Sequence, residues 1–120
     1  MSSPIVFFEI TGSDVTTLEQ FYGDLFGWKA ESRPFPGYTY TTAGSSPGIK
    51  AGFRQEAAGV PVERVLYIGV ADVKAKLGEA VAAGAKVAVP VMTVPGVGTF
   101  AVFEDVAGNR MGLFEVPGLI

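Results

Sequence analysis

Glu9 is the residue best placed to do chemistry, as the single carboxylate in the apolar run Ile5-Val6-Phe7-Phe8-Glu9-Ile10. In a regular strand it shares a face with Phe7. A carboxyl among aromatics has its pKa raised by desolvation, and it can act as a general acid–base or meet a cationic ligand. Paired with an arginine or turned to water at the strand end, the same residue is only structural. Tyr38 and Tyr40 alternate on a later extended segment, so their two hydroxyls fall on one face. An absence bounds the chemistry further, because no histidine and no cysteine occurs in the 120 residues. Histidine is the commonest transition-metal ligand and the usual acid–base near neutral pH. Histidine-based nucleophilic triads, zinc sites of the Cys/His kind and facial-triad iron sites are therefore excluded. Carboxylates, aromatics, hydroxyls, backbone and shape remain.

The elements that must position these groups belong to one domain spanning 1–120, long enough to bury a core without disulfides. Hydrophobic residues make up 48% and charged residues 18%, a globular composition. A net charge of -3 with no basic run argues against nucleic acid as a partner. The N-terminus lacks the basic and apolar regions of a signal peptide. Apolar runs break well short of the roughly 18 residues that span a bilayer. A cytoplasmic protein with no membrane partner is the expectation.

Residues 5–10 read as a strand, and Ser13 or Asp14 caps a helix carrying Val15, Leu18, Phe21, Tyr22, Leu25 and Phe26 on one stripe. Gly27 ends it. Extended segments follow at 28–31, 37–42 and 49–54, separated by the turn-rich stretches 33–36 and 44–48. The same grammar then repeats. A strand covers 62–70, Asp72 caps a helix with Val73, Leu77, Ala80 and Val81 inward, and Gly84 ends it. Strands at 86–91, 98–104 and 110–116 complete the second set. Residues 90–98 read as an irregular strand and loop over a cavity mouth. Asp14-Val15 recurs as Asp72-Val73, Gly27 as Gly84 and Pro36-Gly37 as Pro95-Gly96, at offsets of 58, 57 and 59. Three landmarks near one offset indicate two βαβββ modules, about 1–56 and about 62–120, joined by a linker at 55–61. The glycine-containing loops have neither Walker nor dinucleotide spacing, so they carry no phosphate site.

With this pattern in place, the chain resembles the vicinal oxygen chelate family, which includes glyoxalases, bleomycin-resistance proteins and extradiol dioxygenases. The resemblance rests on Phe8-Glu9-Ile10 and on Phe21-Tyr22-Gly23-Asp24-Leu25-Phe26-Gly27-Trp28. It continues through Val70-Ala71-Asp72-Val73, Ala82-Ala83-Gly84-Ala85, Pro95-Gly96-Val97-Gly98 and the turn Glu104-Asp105-Val106-Ala107-Gly108-Asn109 leading into Gly112-Leu113-Phe114-Glu115. It implies an α+β fold in which two βαβββ modules form a cupped mixed sheet with helices on the outer face. Metal-dependent members of the family place one ligand on each of four strands. The corresponding positions here fall at Phe7 (or Ile5), within 49–53 where Lys50 is the only ionisable side chain, near Val65, and at Gly112. None of these side chains is a usual metal ligand. Glu115 lies three residues beyond Gly112, on the opposite strand face, and is rejected as a substitute. Val106 departs from the proline common after the turn aspartate.

The resemblance therefore implies a member with no metal and no cofactor. Phe7, Tyr67 and Phe114 fall where the family lines its cavity; Phe100 and Phe103 lie on opposite faces of their strand, so at most one of them joins the set. The expected function is metal-independent binding of a small aromatic or apolar molecule by Phe7, Glu9, Tyr38, Tyr40, Tyr67 and Phe114, in resistance or sequestration. One alternative is a metal-free isomerase, lyase or cyclase with Glu9 or a tyrosine as the catalytic acid–base. The other is an interaction module with a filled cavity. A homodimer is expected in each case.

Overall fold

A computed structural model describes residues 2–41, 49–57 and 62–118. The turn at 44–48 and linker residues 58–61 lie outside them. The described residues form an α+β fold of two helices and eight strands, in the order β1(Ile5–Gly12) α1(Val15–Phe26) β2(Ala30–Ser32) β3(Tyr38–Thr41) β4(Lys50–Gln55), then β5(Arg64–Val70) α2(Val73–Ala82) β6(Lys86–Val94) β7(Gly98–Glu104) β8(Arg110–Glu115). The order is βαβββ twice. No helix among the described residues is long and apolar enough to cross a membrane.

The chain divides into two compact units, Phe7–Val65 and Met1–Val6 with Leu66–Ile120. In the first, β1 pairs in parallel with β4, β4 antiparallel with β3, and β3 antiparallel with β2. In the second, β5 pairs in parallel with β8, β8 antiparallel with β7, and β7 antiparallel with β6. Each unit thus repeats one mixed sheet. The N-terminal segment joins the second unit through a hydrogen bond from the Gly69 amide to the Pro4 carbonyl (2.8 Å).

Both helices start as the sequence predicts. The Asp14 carboxylate accepts from the Thr16 and Thr17 amides, and Asp72 accepts from the Ala75 amide. A second device is shared by the units. Gln55 Oε1, at the end of β4, accepts from the Val15 amide (3.0 Å), and Glu115 Oε1, at the end of β8, accepts from the Val73 amide (3.0 Å). Each sheet therefore satisfies the first free amide of its own helix. Gln55 is thus a strand residue with a capping role and not part of the linker. Gly27 closes α1 at φ 72, a left-handed conformation that glycine adopts without strain.

The helix faces are narrower than the sequence stripe. In α1, Val15, Leu18 and Tyr22 are half-buried, whereas Phe21, Leu25 and Phe26 are exposed. Successive helical residues are turned about 100° apart, so Phe21 and Leu25 flank the line through Leu18 and Tyr22; Phe26 ends the helix. Tyr22 stacks on Trp28 (5.1 Å) and Phe53 (5.5 Å), and Trp28 meets Phe8 edge-on at 6.0 Å. These rings join α1 to the Phe8, Ile10 and Phe53 face of its sheet. In the second unit, Val73 and Leu77 of α2 join Val70, Ala101 and Leu113, with Ile68 and Phe103 packed against them. Val81 lies outside this core and is exposed. Residues 90–98 are an irregular strand and a short turn: β6 runs on to Val94, with register shifts between Val87 and Met92 around Pro90, and residues 95–97 turn into β7.

Candidate functional site

The sheet face turned away from each helix carries the candidate residues. In the first unit Glu9 lies opposite Gly52, Tyr40 opposite Gly52 and Tyr38 opposite Arg54. Strand alternation then puts Phe7 and Glu9 of β1, Tyr38 and Tyr40 of β3, and Gly52 and Arg54 of β4 on one face. Four of the six predicted residues are brought together here. The Tyr40 ring meets Phe7 at 6.0 Å and Tyr38 at 5.1 Å, both edge-on.

Glu9 is 6% exposed. Its Oε2 accepts a hydrogen bond from the Tyr38 hydroxyl (2.8 Å), and its Oε1 lies 3.7 Å from Arg54 Nη1, an ion pair too long for a hydrogen bond. Burial pushes the carboxyl pKa above its ordinary value of 4.5; the Tyr38 hydroxyl and the Arg54 charge pull against that shift, and the Glu63 charge adds to it. The Tyr40 hydroxyl is also raised above its ordinary value of 10.0, by burial first, with the Tyr38 hydroxyl opposing and the Glu9 charge adding. Two sequence alternatives are thus realised together: Glu9 sits among aromatics and faces an arginine. Arg54 is a functional residue that the sequence does not single out, because strand pairing is what brings it to Glu9.

Tyr67 and Phe114 lie in the second unit. Tyr67 is opposite Gly112 and Phe114 opposite Phe100. Tyr67 and Phe100 meet edge-on at 6.5 Å. This assigns Phe100 to the Tyr67 face, while Phe103 belongs to the α2 core. The two faces correspond position by position: Glu9 matches Tyr67, Gly52 matches Gly112, and Arg54 matches Phe114. One unit places an acid, a tyrosine and an arginine where the other places three aromatics.

This correspondence also fixes the uncertain register. Gly52 is the counterpart of Gly112, and Lys50 pairs across from Phe7 with its amine on Glu31 (2.9 Å). At both glycines the space for a side chain is taken. A Cβ on Gly52 would lie 2.1 Å from the Tyr38 hydroxyl, and one on Gly112 would lie 2.3 Å from a Tyr67 ring carbon. A carboxylate at either position would have to displace a tyrosine ring. Phe7 and Val65 are apolar and buried. Among the described residues no group of three or more acidic, histidine or cysteine side chains could hold a metal ion. The residues present do not fit the metal centre of the family's metal-dependent members. Glu115 is taken up by its bond to the Val73 amide.

Comparison with known proteins agrees with this fold. The family model described as Glyoxalase/Bleomycin resistance protein/Dioxygenase superfamily matches residues 5–113. The provisionally named glyoxylase CFP32, in Mycobacterium bovis and in Mycobacterium tuberculosis, is 28% identical over 113 residues, or 89% of this chain and 43% of CFP32. The chain therefore spans less than half the length of these curated relatives. A hypothetical protein from Bacillus halodurans superposes with a TM-score of 0.71 at 13% identity, covering 100% of this chain and 99% of that one. A superfamily member from Vibrio splendidus gives 0.64 at 15%, covering 96% and 100%. Methylmalonyl-CoA epimerase from Streptomyces coelicolor, solved with 2-nitronate-propionyl-CoA, gives 0.66 at 18%, covering 96% and 99%. At such identities the structural likeness is one of fold alone.

Proposed function

The chain belongs to the glyoxalase/bleomycin resistance protein/dioxygenase superfamily, and on that premise we propose that it binds a small planar aromatic or apolar molecule without using a metal, in a resistance or sequestration role. The observation that carries this reading is the buried Glu9 carboxyl, held by Tyr38 and Arg54 on a face otherwise built from Phe7 and Tyr40. A few fixed polar groups among aromatic side chains are what orient a ligand in an apolar site. The Arg54 guanidinium already faces Glu9, so the ligand this face favours is uncharged. Tyr67 and Phe114 supply a second aromatic set of the same kind.

A second reading is supported by the raised Glu9 pKa and by the fold shared with an epimerase. A carboxyl whose pKa is moved toward neutrality can take and return a proton in an isomerase, lyase or cyclase step. One experiment separates the two. Wild type and Glu9→Gln are screened by thermal shift against aromatic metabolites and antibiotics, and each compound that binds is followed for turnover. The binding reading expects a rise in the unfolding midpoint and no product. Turnover lost in Glu9→Gln with binding retained establishes the enzyme instead. No shift with any compound contradicts both.

A further inference from the structure

A cleft of about 480 Å³ in the first unit, whose lining includes Tyr38 but not Glu9, lies between the first turns of α1 and the segment from Arg33 to Thr39. Its apolar wall is formed by Val15, Pro34, Phe35 and Pro36. Its polar groups include Glu19, Arg33 and Thr39, and these three are linked. The Thr39 hydroxyl donates to Glu19 Oε2 (3.1 Å), and Arg33 Nη2 donates to Glu19 Oε1. The two ends of this linkage differ in exposure. Thr39 is buried, the Glu19 side chain is 23% exposed, and the Arg33 side chain is 62% exposed.

We propose that this cleft is a binding site for a small organic amine with an aromatic or apolar body. The carboxylate is fixed from inside by a buried hydroxyl, while its other oxygen is covered by a cation standing in solvent. An exposed guanidinium adds little net stability to such a pair, since solvent screens it and ordering its long side chain costs entropy. It is a replaceable stand-in. A ligand ammonium can take the place of Arg33 on Glu19 Oε1, and the ligand body then lies against Phe35 and the two prolines. The cleft volume falls within the range of small-molecule sites. The acidic balance of the chain favours a cation over an anion.

The test uses benzylamine, protonated at neutral pH, with benzyl alcohol as its uncharged counterpart, followed by calorimetry and amide chemical shifts. Benzylamine is expected to bind and to shift amides around Val15–Glu19 and Arg33–Thr39, with the alcohol at least about tenfold weaker for want of the charge-assisted bond. Glu19→Gln keeps an acceptor for Thr39 and should weaken amine binding by a similar factor. Arg33→Ala removes the competitor, leaves the carboxylate in place and should tighten binding. Equal binding of amine and alcohol, shifts centred elsewhere, or affinity unchanged in Glu19→Gln overturns the proposal. Glu9→Gln, which tests the other site, is expected to leave benzylamine affinity unchanged.

Discussion

A carboxyl buried beside tyrosines is stable in a small domain only if its charge is removed or met. Glu9 is met twice, by the Tyr38 hydroxyl and by Arg54, yet desolvation still dominates and its pKa stays raised. The pH dependence follows. Because folding raises this pKa, the contribution of Glu9 to stability is fully present below its unfolded value near 4.5 and is lost as pH rises through the folded value. Glu9→Gln, which stays neutral, should therefore gain stability relative to wild type as pH rises from 4 to 8. Arg54→Met should raise the Glu9 pKa further, because it removes a charge that opposes the shift. Carbon-13 carboxyl titration and unfolding midpoints across pH check both; a Glu9 pKa at or below 4.5 contradicts the account. The alternation of 7 and 9 already placed Glu9 among aromatics in the sequence. The guanidinium facing it was not legible, because strand pairing between β1, β4 and β3 sets that contact and no spacing encodes it.

At the scale of elements, the repeated strand and helix order could be read from Asp14 and Asp72, Gly27 and Gly84, because caps are local chemistry. The sheet-to-helix clamps of Gln55 and Glu115 repeat at an offset of 60 and join residues some forty positions apart, so only the fold reveals them. The buried face of α1 is narrower than its apolar stripe: Phe21, Leu25 and Phe26 are apolar but exposed. Hydrophobicity marks what can be buried, and the sheet decides what is. The glycines facing Tyr38 and Tyr67 are the feature of β4 and β8 that matters most. In the second unit, Gly112→Ala should cost about 1–3 kcal/mol, because the new methyl overlaps the Tyr67 ring and the core must shift. Denaturant unfolding measures this, with Gly78→Ala as the control, since an added methyl meets nothing there and alanine favours a helix. Equal stability of Gly112→Ala and wild type would show that Tyr67 does not rest on that glycine.

For the whole molecule, family membership fixes the scaffold and leaves the activity open, because one fold supports many sites. It shares its fold with an epimerase, and a curated relative is a provisionally named glyoxylase more than twice as long as the matched region. The exposed apolar residues of α1 and of the edge strand β6, Val87 and Met92 among them, are surface that a second copy would cover. We propose a homodimer, which sedimentation equilibrium should detect at twice the 12.6 kDa chain mass; a monomer throughout the micromolar range contradicts it. The absence of histidine and cysteine was decisive from the sequence onward, and the structure gave it a location. Where a ligating carboxylate would project from positions 52 and 112, tyrosine rings lie instead. The most direct test is calorimetric titration of the best ligand from the aromatic panel, in EDTA and again with added nickel or zinc. Equal affinity in both, weakened at least about tenfold by Tyr40→Ala through loss of aromatic contact, is the predicted result. Binding that appears only with the metal would contradict the account.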